Sequence, residues 1–136
     1  MKKNFLAVVL LMMIFAGCKS STTNDDLNWQ ENLESALQQA KQENKAVLVN
    51  FTGSDWCIWC KRLSDEVFSK SEFEDFADKK LILVELDFPR SIEQTTETKI
   101  YNNNLAQRFG VHGFPSILLF SSAGKLVPAA AICLVV

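Results

Sequence analysis

Apolar residues near the start of the folded region recur at intervals of three and four. They are separated by acidic, basic and amide side chains, as on one face of an amphipathic helix. Asn28 can cap the first turn of this helix. The pattern predicts a helix over residues 29–43, whose apolar stripe consists of Trp29, Leu33, Ala36, Leu37 and Ala40.

Three short apolar runs have a different pattern. They are AVLVNF at 46–51, LILVELDF at 81–88 and SILLF at 116–120. Each is predicted to be a strand, and the first, which is rich in branched residues and has polar flanks, is typical of a buried central strand. In the second run, alternation places Ile82, Val84 and Leu86 on one face and Glu85 on the other.

The segments between these strands complete the predicted order α, β, α, β, α, β, β. A helix is expected over residues 57–69, a helical turn around 73–77, and a further helix that begins within 91–109 and ends at Gly110. A weak last strand is expected near Leu126 after the turn SSAGK. Alternating helices and strands predict a parallel sheet, and the final pair adds an antiparallel hairpin at its edge. The fold class is therefore α/β, with a central mixed sheet flanked by helices.

Length and charge restrict the function. The chain has 136 residues and a formal net charge of -2, with no long basic block. This length suits one domain with its own core. The charge gives no basic surface for a nucleic acid, so no nucleic-acid partner is expected.

The first 17 residues have the features of a secretory signal peptide. Two lysines precede an apolar run at 5–16, and small residues follow it. Ala16-Gly17-Cys18 also resembles a bacterial lipobox, in which the cysteine after the cleavage site is lipidated. A conventional signal peptide with an incidental Cys18 is the alternative. Residues 18–27 are predicted to be a flexible tether and 28–136 the domain, exported to the periplasmic side of the cell envelope and lipid-anchored.

Cys57 and Cys60 are three residues apart where a strand is followed by a helix. On a helix this spacing brings both sulfurs to one face. The free amide groups of the first turn would stabilise a thiolate on Cys57, which makes Cys57 the attacking thiol and Cys60 the resolving thiol. The pair could also be half of a zinc site, but His112 is the only histidine and no second cysteine pair follows. No metal and no other cofactor is expected.

These residues resemble a known family. DWCIWCK at 55–61 after a buried strand, together with GFPS at 113–116, is similar to thioredoxin-like proteins, and in particular to the exported bacterial group with a WCxWCK active site. The resemblance covers residues 29–125. It implies a thioredoxin-like fold and a thiol:disulfide oxidoreductase that reduces or isomerises protein disulfides. Its partners would be protein or peptide thiols and disulfides, together with an upstream membrane electron donor.

The resemblance also assigns substrate-binding residues. Pro115 would be cis and face the disulfide, and the backbone of Phe114 would pair with an extended substrate chain. Trp56 and Trp59 would line an apolar docking surface around an exposed sulfur. The alternative for Trp59 is that it is packed on its helix, whereas partial exposure is expected for Trp56.

The chain departs from the family at two places. Asn50 stands where thioredoxin has a buried aspartate, so Glu85 on the neighbouring strand is the candidate base for the resolving thiol. The alternative is that Glu85 is a solvated charge. In addition, the chain ends in LVPAAAICLVV with no pattern of the usual C-terminal helix. The competing functional hypothesis is therefore a redox-inactive binding module, or a truncated and unstable family member.

Overall fold

The computed structural model describes residues 27–128. The predicted signal peptide, the Cys18 lipidation site and the chain end beyond residue 128, where the terminal helix is predicted to be missing, lie outside the described residues. The strands are β1 (Trp29–Gln30), β2 (Ala46–Thr52), β3 (Leu81–Asp87) and β4 (Ser116–Phe120). The helices are α1 (Leu33–Glu43), α2 (Ile58–Leu63), α3 (Ser71–Lys80) and α4 (Thr96–Arg108). Within the described range, no helix has the length and hydropathy needed to cross a membrane.

The four strands form one mixed sheet in the order β1-β3-β2-β4. β3 is parallel to both β1 and β2, and β4 is antiparallel to β2. Parallel pairing of β2 and β3 runs from Ala46 opposite Leu81 to Thr52 opposite Asp87, so both strands end together at the same edge of the sheet. The predicted α/β class and mixed sheet are confirmed.

Helices cover both faces of the sheet. On one face, α1 and α4 pack on Val47, Val49, Ile82, Val84 and Leu86. On the other, α3 packs through Ala77 against Leu81 and Leu83. The alternation predicted for the LILVELDF run is therefore confirmed, because its even-numbered and odd-numbered apolar residues lie in different clusters.

The predicted helix start at residue 29 is wrong. Trp29 and Gln30 form β1, opposite Leu83 and Val84. Asn32 has an extended backbone and its side chain accepts a hydrogen bond from the Ser35 N–H, so α1 begins at Leu33. The Trp29 ring packs edge-on against Phe68 at 5.1 Å instead of joining the helical stripe.

Three other boundaries differ from the predictions. The helical turn near 73–77 is the ten-residue helix α3. The helix expected over 57–69 is α2 followed by a π-helical segment, Ser64–Phe68. The last strand is reduced to a single bridge between Phe120 and Leu126.

Candidate active site

The cysteine pair lies at the start of α2, just beyond the end of β2. Cys57 is the N-cap of the helix, not part of its first turn as predicted. Its N–H donates to the Gly53 carbonyl at 2.8 Å, and its sulfur accepts from the Cys60 N–H at 3.2 Å. A disulfide joins Cys57 to Cys60. The two residues are 4% and 6% exposed, so the expected exposed sulfur is instead nearly buried in the disulfide form.

Trp56 directly precedes Cys57, and contacts with Phe88 and Arg90 hold its indole in place. Its indole Nε1 donates to the Phe88 carbonyl at 2.8 Å. The Arg90 guanidinium lies 3.7 Å from the ring centroid, which is close enough for a cation–π contact. A Cβ at Gly53 would come within 2.8 Å of three Trp56 ring atoms, so only glycine fits beneath the indole. Trp56 is partly exposed, as expected.

Asp55 links the active-site loop to the loop after β3 through hydrogen bonds. Its carboxylate accepts hydrogen bonds from the backbone N–H groups of Ser91 at 2.6 Å, Arg90 at 3.0 Å and Ile92 at 3.3 Å. These amides, first that of Ser91, hold the pKa of the Asp55 carboxyl below its usual value. Sequence reasoning missed this role because the partners are backbone groups 35–37 residues away.

The segment before β4 completes this side of the site. The Phe114–Pro115 peptide bond is cis. The Phe114 ring lies 5.9 Å from Trp56 and 4.9 Å from Phe88, between centroids. The fold thus brings residues 56, 88 and 114 into one aromatic group next to the cysteine pair.

Trp59 and Ile58 project from the start of α2 into solvent. They are 62% and 61% exposed, so the alternative of a packed Trp59 is wrong. The Arg62 guanidinium lies 5.2 Å from the Trp59 ring centroid. Two large apolar side chains between the cysteines therefore remain open on the surface.

Asn50 and Glu85 face each other on β2 and β3. The Asn50 side-chain N–H donates to a Glu85 carboxylate oxygen at 3.3 Å. Asn50 is 4% exposed, and its Oδ1 has no hydrogen-bond partner among residues 27–128. Burial raises the pKa of the Glu85 carboxyl, the hydrogen bond from Asn50 opposes this, and the charges of Asp87 and Glu31 add to it. Glu85 is half-buried, so the fully solvated alternative does not hold.

Comparison with known proteins places this arrangement in a family. The model of the thioredoxin-like domain matches residues 33–131. The chain belongs to the thioredoxin-like family.

Two curated thioredoxin-like relatives carry names that describe disulfide chemistry. Disulfide bond reductase DsbH of Chlamydia pneumoniae is 39% identical over 100 residues, which cover 74% of this chain and 60% of that protein. Thiol:disulfide interchange protein DsbD of Photorhabdus laumondii is 31% identical over 101 residues, which cover 74% of this chain and 16% of that protein. The chain thus spans less than two thirds of the length of either relative.

A solved structure named DsbH Oxidoreductase is also similar. It superimposes with a TM-score of 0.68 and 32% sequence identity, and the match covers 88% of this chain and 90% of that chain. The thioredoxin-like fold therefore extends over most of both chains. The names of these relatives support a function in thiol–disulfide exchange.

The thioredoxin-like fold brings most of the predicted site residues together. Cys57 and Cys60 are bonded, and Trp56 and Phe114 are in ring contact on the side of the cis Pro115 bond. Trp59 lies on the adjoining surface. Glu85 lies on β3 opposite Asn50 of β2 and accepts its hydrogen bond. Within residues 27–128, no hydrogen bond joins Glu85 to either cysteine.

Proposed function

We propose that this chain is a thiol:disulfide oxidoreductase that reduces or isomerises protein disulfides through Cys57 and Cys60. The observation that carries the proposal is the Cys57–Cys60 disulfide at the start of α2, in a thioredoxin-like fold. Two cysteines placed close enough to form a disulfide can alternate between dithiol and disulfide.

The reduced pair would act in two exchange steps. The Cys57 thiolate attacks a substrate disulfide, forms a mixed disulfide and releases one substrate thiolate, which takes up a proton. Cys60 then loses its proton and attacks the Cys57 sulfur, which releases the second substrate thiol. Two electrons pass to the substrate, and the chain is left with the disulfide described above. The Cys60 N–H, 3.2 Å from the Cys57 sulfur, would stabilise the attacking thiolate.

Substrate docking would use the surface around the pair. The Phe114 backbone would pair with an extended substrate segment beside Pro115, and the exposed Trp59 and Ile58 would contact apolar substrate side chains. Trp56 is held by Phe88 and Arg90, so it would form a rigid wall of this surface.

The proposal includes export and an anchor. Residues 1–17 would direct the chain out of the cytoplasm, and a lipid on Cys18 would hold it at the periplasmic side of the cell envelope. In that compartment a membrane electron donor would reduce the disulfide after each turnover. The word reductase in the name of the Chlamydia relative supports the reducing direction.

An insulin-reduction assay tests the activity. The full chain, supplied with a thiol reductant, should accelerate insulin reduction, and Cys57→Ser should abolish the acceleration. Cys133→Ser is the matched control, because it removes a cysteine outside the pair, and it should retain activity. A wild-type chain with no effect would favour the binding module, and an active Cys57→Ser chain would rule out the proposed nucleophile.

A further inference from the structure

A cavity of about 300 Å³ lies where β1 stops and β3 continues. β1 pairs with β3 only at Leu83 and Val84, so the last residues of β3 have no strand beside them on that side. The end of β1, the second half of β3, the loop after it and α4 line the cavity. It does not include Cys57, Cys60 or the aromatic group around them.

The cavity is negatively charged. Among residues 27–128, its lining includes Glu31, Glu85 and Asp87 and contains no lysine, arginine or histidine. Burial is the main cause of the raised pKa of the Glu85 carboxyl, and the charges of Asp87 and Glu31 raise it further.

Two amide side chains in the cavity each have one N–H engaged by the protein. Gln94 Nε2 and Asn102 Nδ2 both donate to the backbone oxygen of Asp87, at 3.1 and 2.9 Å. A carbonyl oxygen only accepts, so these contacts fix the orientation of both amides. Asn102 is 4% exposed, and among residues 27–128 its Oδ1 has no donor. That oxygen is an acceptor that Asn102, as a lining residue, can present to the cavity.

The third amide follows the same rule. Gln30 Nε2 donates to Gln39 Oε1 at 2.7 Å, and Gln39 in turn donates to the carboxylate of Glu43. Because that carboxylate only accepts, the orientation of the whole chain of amides is determined. The Gln30 oxygen is therefore left as an acceptor. The lining offers the carboxylates of Glu31 and Glu85 together with amide oxygens, and each amide nitrogen has one of its two N–H groups engaged within the protein.

A cavity lined by carboxylate and amide oxygens, with net negative charge, suits a cation that carries several N–H donors. Trp29, Pro89 and Ile92 supply apolar surface, on which the methylene stem of such a cation can lie, and the Trp29 ring can face the charge. Among the described residues, no group of three or more His, Cys, Asp and Glu side chains is arranged to hold a metal ion. We propose that this cavity binds an alkylammonium or guanidinium group, at a site that contains neither cysteine and shares only Glu85 with the proposed redox chemistry.

Titration of the oxidised full chain with n-butylammonium, followed by NMR, tests the proposal. The side-chain amide signals of Asn102 and the indole N–H of Trp29 should shift in a saturable way. n-Butanol, which has the same stem without the charge, should not shift them. Absence of saturable shifts up to about 10 mM n-butylammonium, where even a millimolar complex would be mostly formed, would overturn the proposal.

Variants locate the binding. Glu31→Gln, at an exposed position, should weaken butylammonium binding about threefold, and the double variant with Glu85→Gln should weaken it about tenfold or more. Asp75→Asn in α3 removes a surface carboxylate outside the cavity and should leave the affinity unchanged. Equal affinity in wild type and the double variant would exclude this site. Cys57→Ser should bind normally, which separates this result from any failure of the redox proposal.

The source of the cation is resolved by two further ligands. Tighter binding of spermidine than of N-acetyl-lysine amide would indicate a free polyamine. The reverse order would indicate a lysine side chain from a partner protein. Equal binding of both would show that the site recognises the ammonium group alone, and failure of both to displace butylammonium would contradict a common site.

Discussion

At the scale of single residues, the pairing of Asn50 with Glu85 departs most from thioredoxin chemistry. An amide cannot accept a proton from the resolving thiol, whereas the half-buried carboxylate next to it can. Burial raises the pKa of Glu85, which brings it closer to the working pH of a group that must take and return a proton. We therefore propose Glu85 as the base, on the strand neighbouring the one that carries it in thioredoxin.

Glu85→Gln should slow release of the mixed disulfide. In the wild type, the rate of mixed-disulfide release should rise with pH as the Glu85 carboxyl ionises. This rise should be absent from the variant, because the glutamine amide accepts no proton. Quenched-flow measurement of the mixed disulfide across acid to neutral pH provides the profile. Glu31→Gln is the control, because it keeps Glu85, and it should retain the rise in rate with pH. An identical profile for Glu85→Gln and wild type would show that Glu85 has no part in the chemistry.

The stability of the same variant checks the burial of Glu85. Its pKa is higher in the folded chain than its ordinary value of 4.5, so the folded state binds more protons between those two values. The free energy of unfolding of the wild type should therefore decline as pH rises through this window. Glu85→Gln should lack that part of the decline in urea denaturation at several pH values.

At the scale of elements, the start of α1 is held by a distant segment in addition to its local Asn32 cap. Tyr101 on α4 accepts a hydrogen bond from the Leu33 N–H at 2.8 Å and donates to the Glu34 carboxylate at 2.6 Å. It therefore satisfies a free amide at the start of α1, 68 residues earlier. Burial, followed by the contact with Glu34, raises the pKa of Tyr101 to about 12, so the phenol remains a donor at neutral pH.

Tyr101→Phe should lower the free energy of unfolding by about 1–2 kcal/mol. The substitution keeps the ring but leaves the Leu33 amide and the Glu34 carboxylate without their partner. Urea denaturation measures the loss. Ile100→Ala, on an exposed position of the same helix, should change stability by less than about 0.5 kcal/mol. Similar losses for both variants would mean that the hydroxyl contributes nothing.

At the scale of the whole molecule, a lipid anchor would determine which partners the site can reach. A lipid on Cys18 and a short tether would hold the domain close to the membrane, so reach would limit its encounters more than affinity does. This arrangement would favour a membrane electron donor over a diffusing one.

Fractionation of cells that express the full chain tests the anchor. The wild type should be recovered with membranes and should incorporate labelled fatty acid, whereas Cys18→Ala should incorporate none. Cys133→Ser is the matched control and should fractionate as the wild type. A soluble, unacylated wild-type chain would exclude lipidation, and the domain would then have to act without an anchor.

The sequence by itself determined the three long strands and the cysteine pair. Ala46–Thr52, Leu81–Asp87 and Ser116–Phe120 agree with the predicted runs to within one residue, because strands that pack in a sheet need short apolar segments. The resemblance added the cis bond at Pro115, which the structure confirms. The strands and the cysteine pair could be predicted because they depend on local composition and spacing.

Only the tertiary structure decided which distant groups meet. The two residues of β1 are too few to show a period, and they become a strand because β3 offers an open edge to Trp29 and Gln30. Asp55 binds backbone amides, which have no side-chain signature in the sequence. The acceptor-lined cavity arises because β1 stops while β3 continues, and this difference in strand length exists only once the strands are paired.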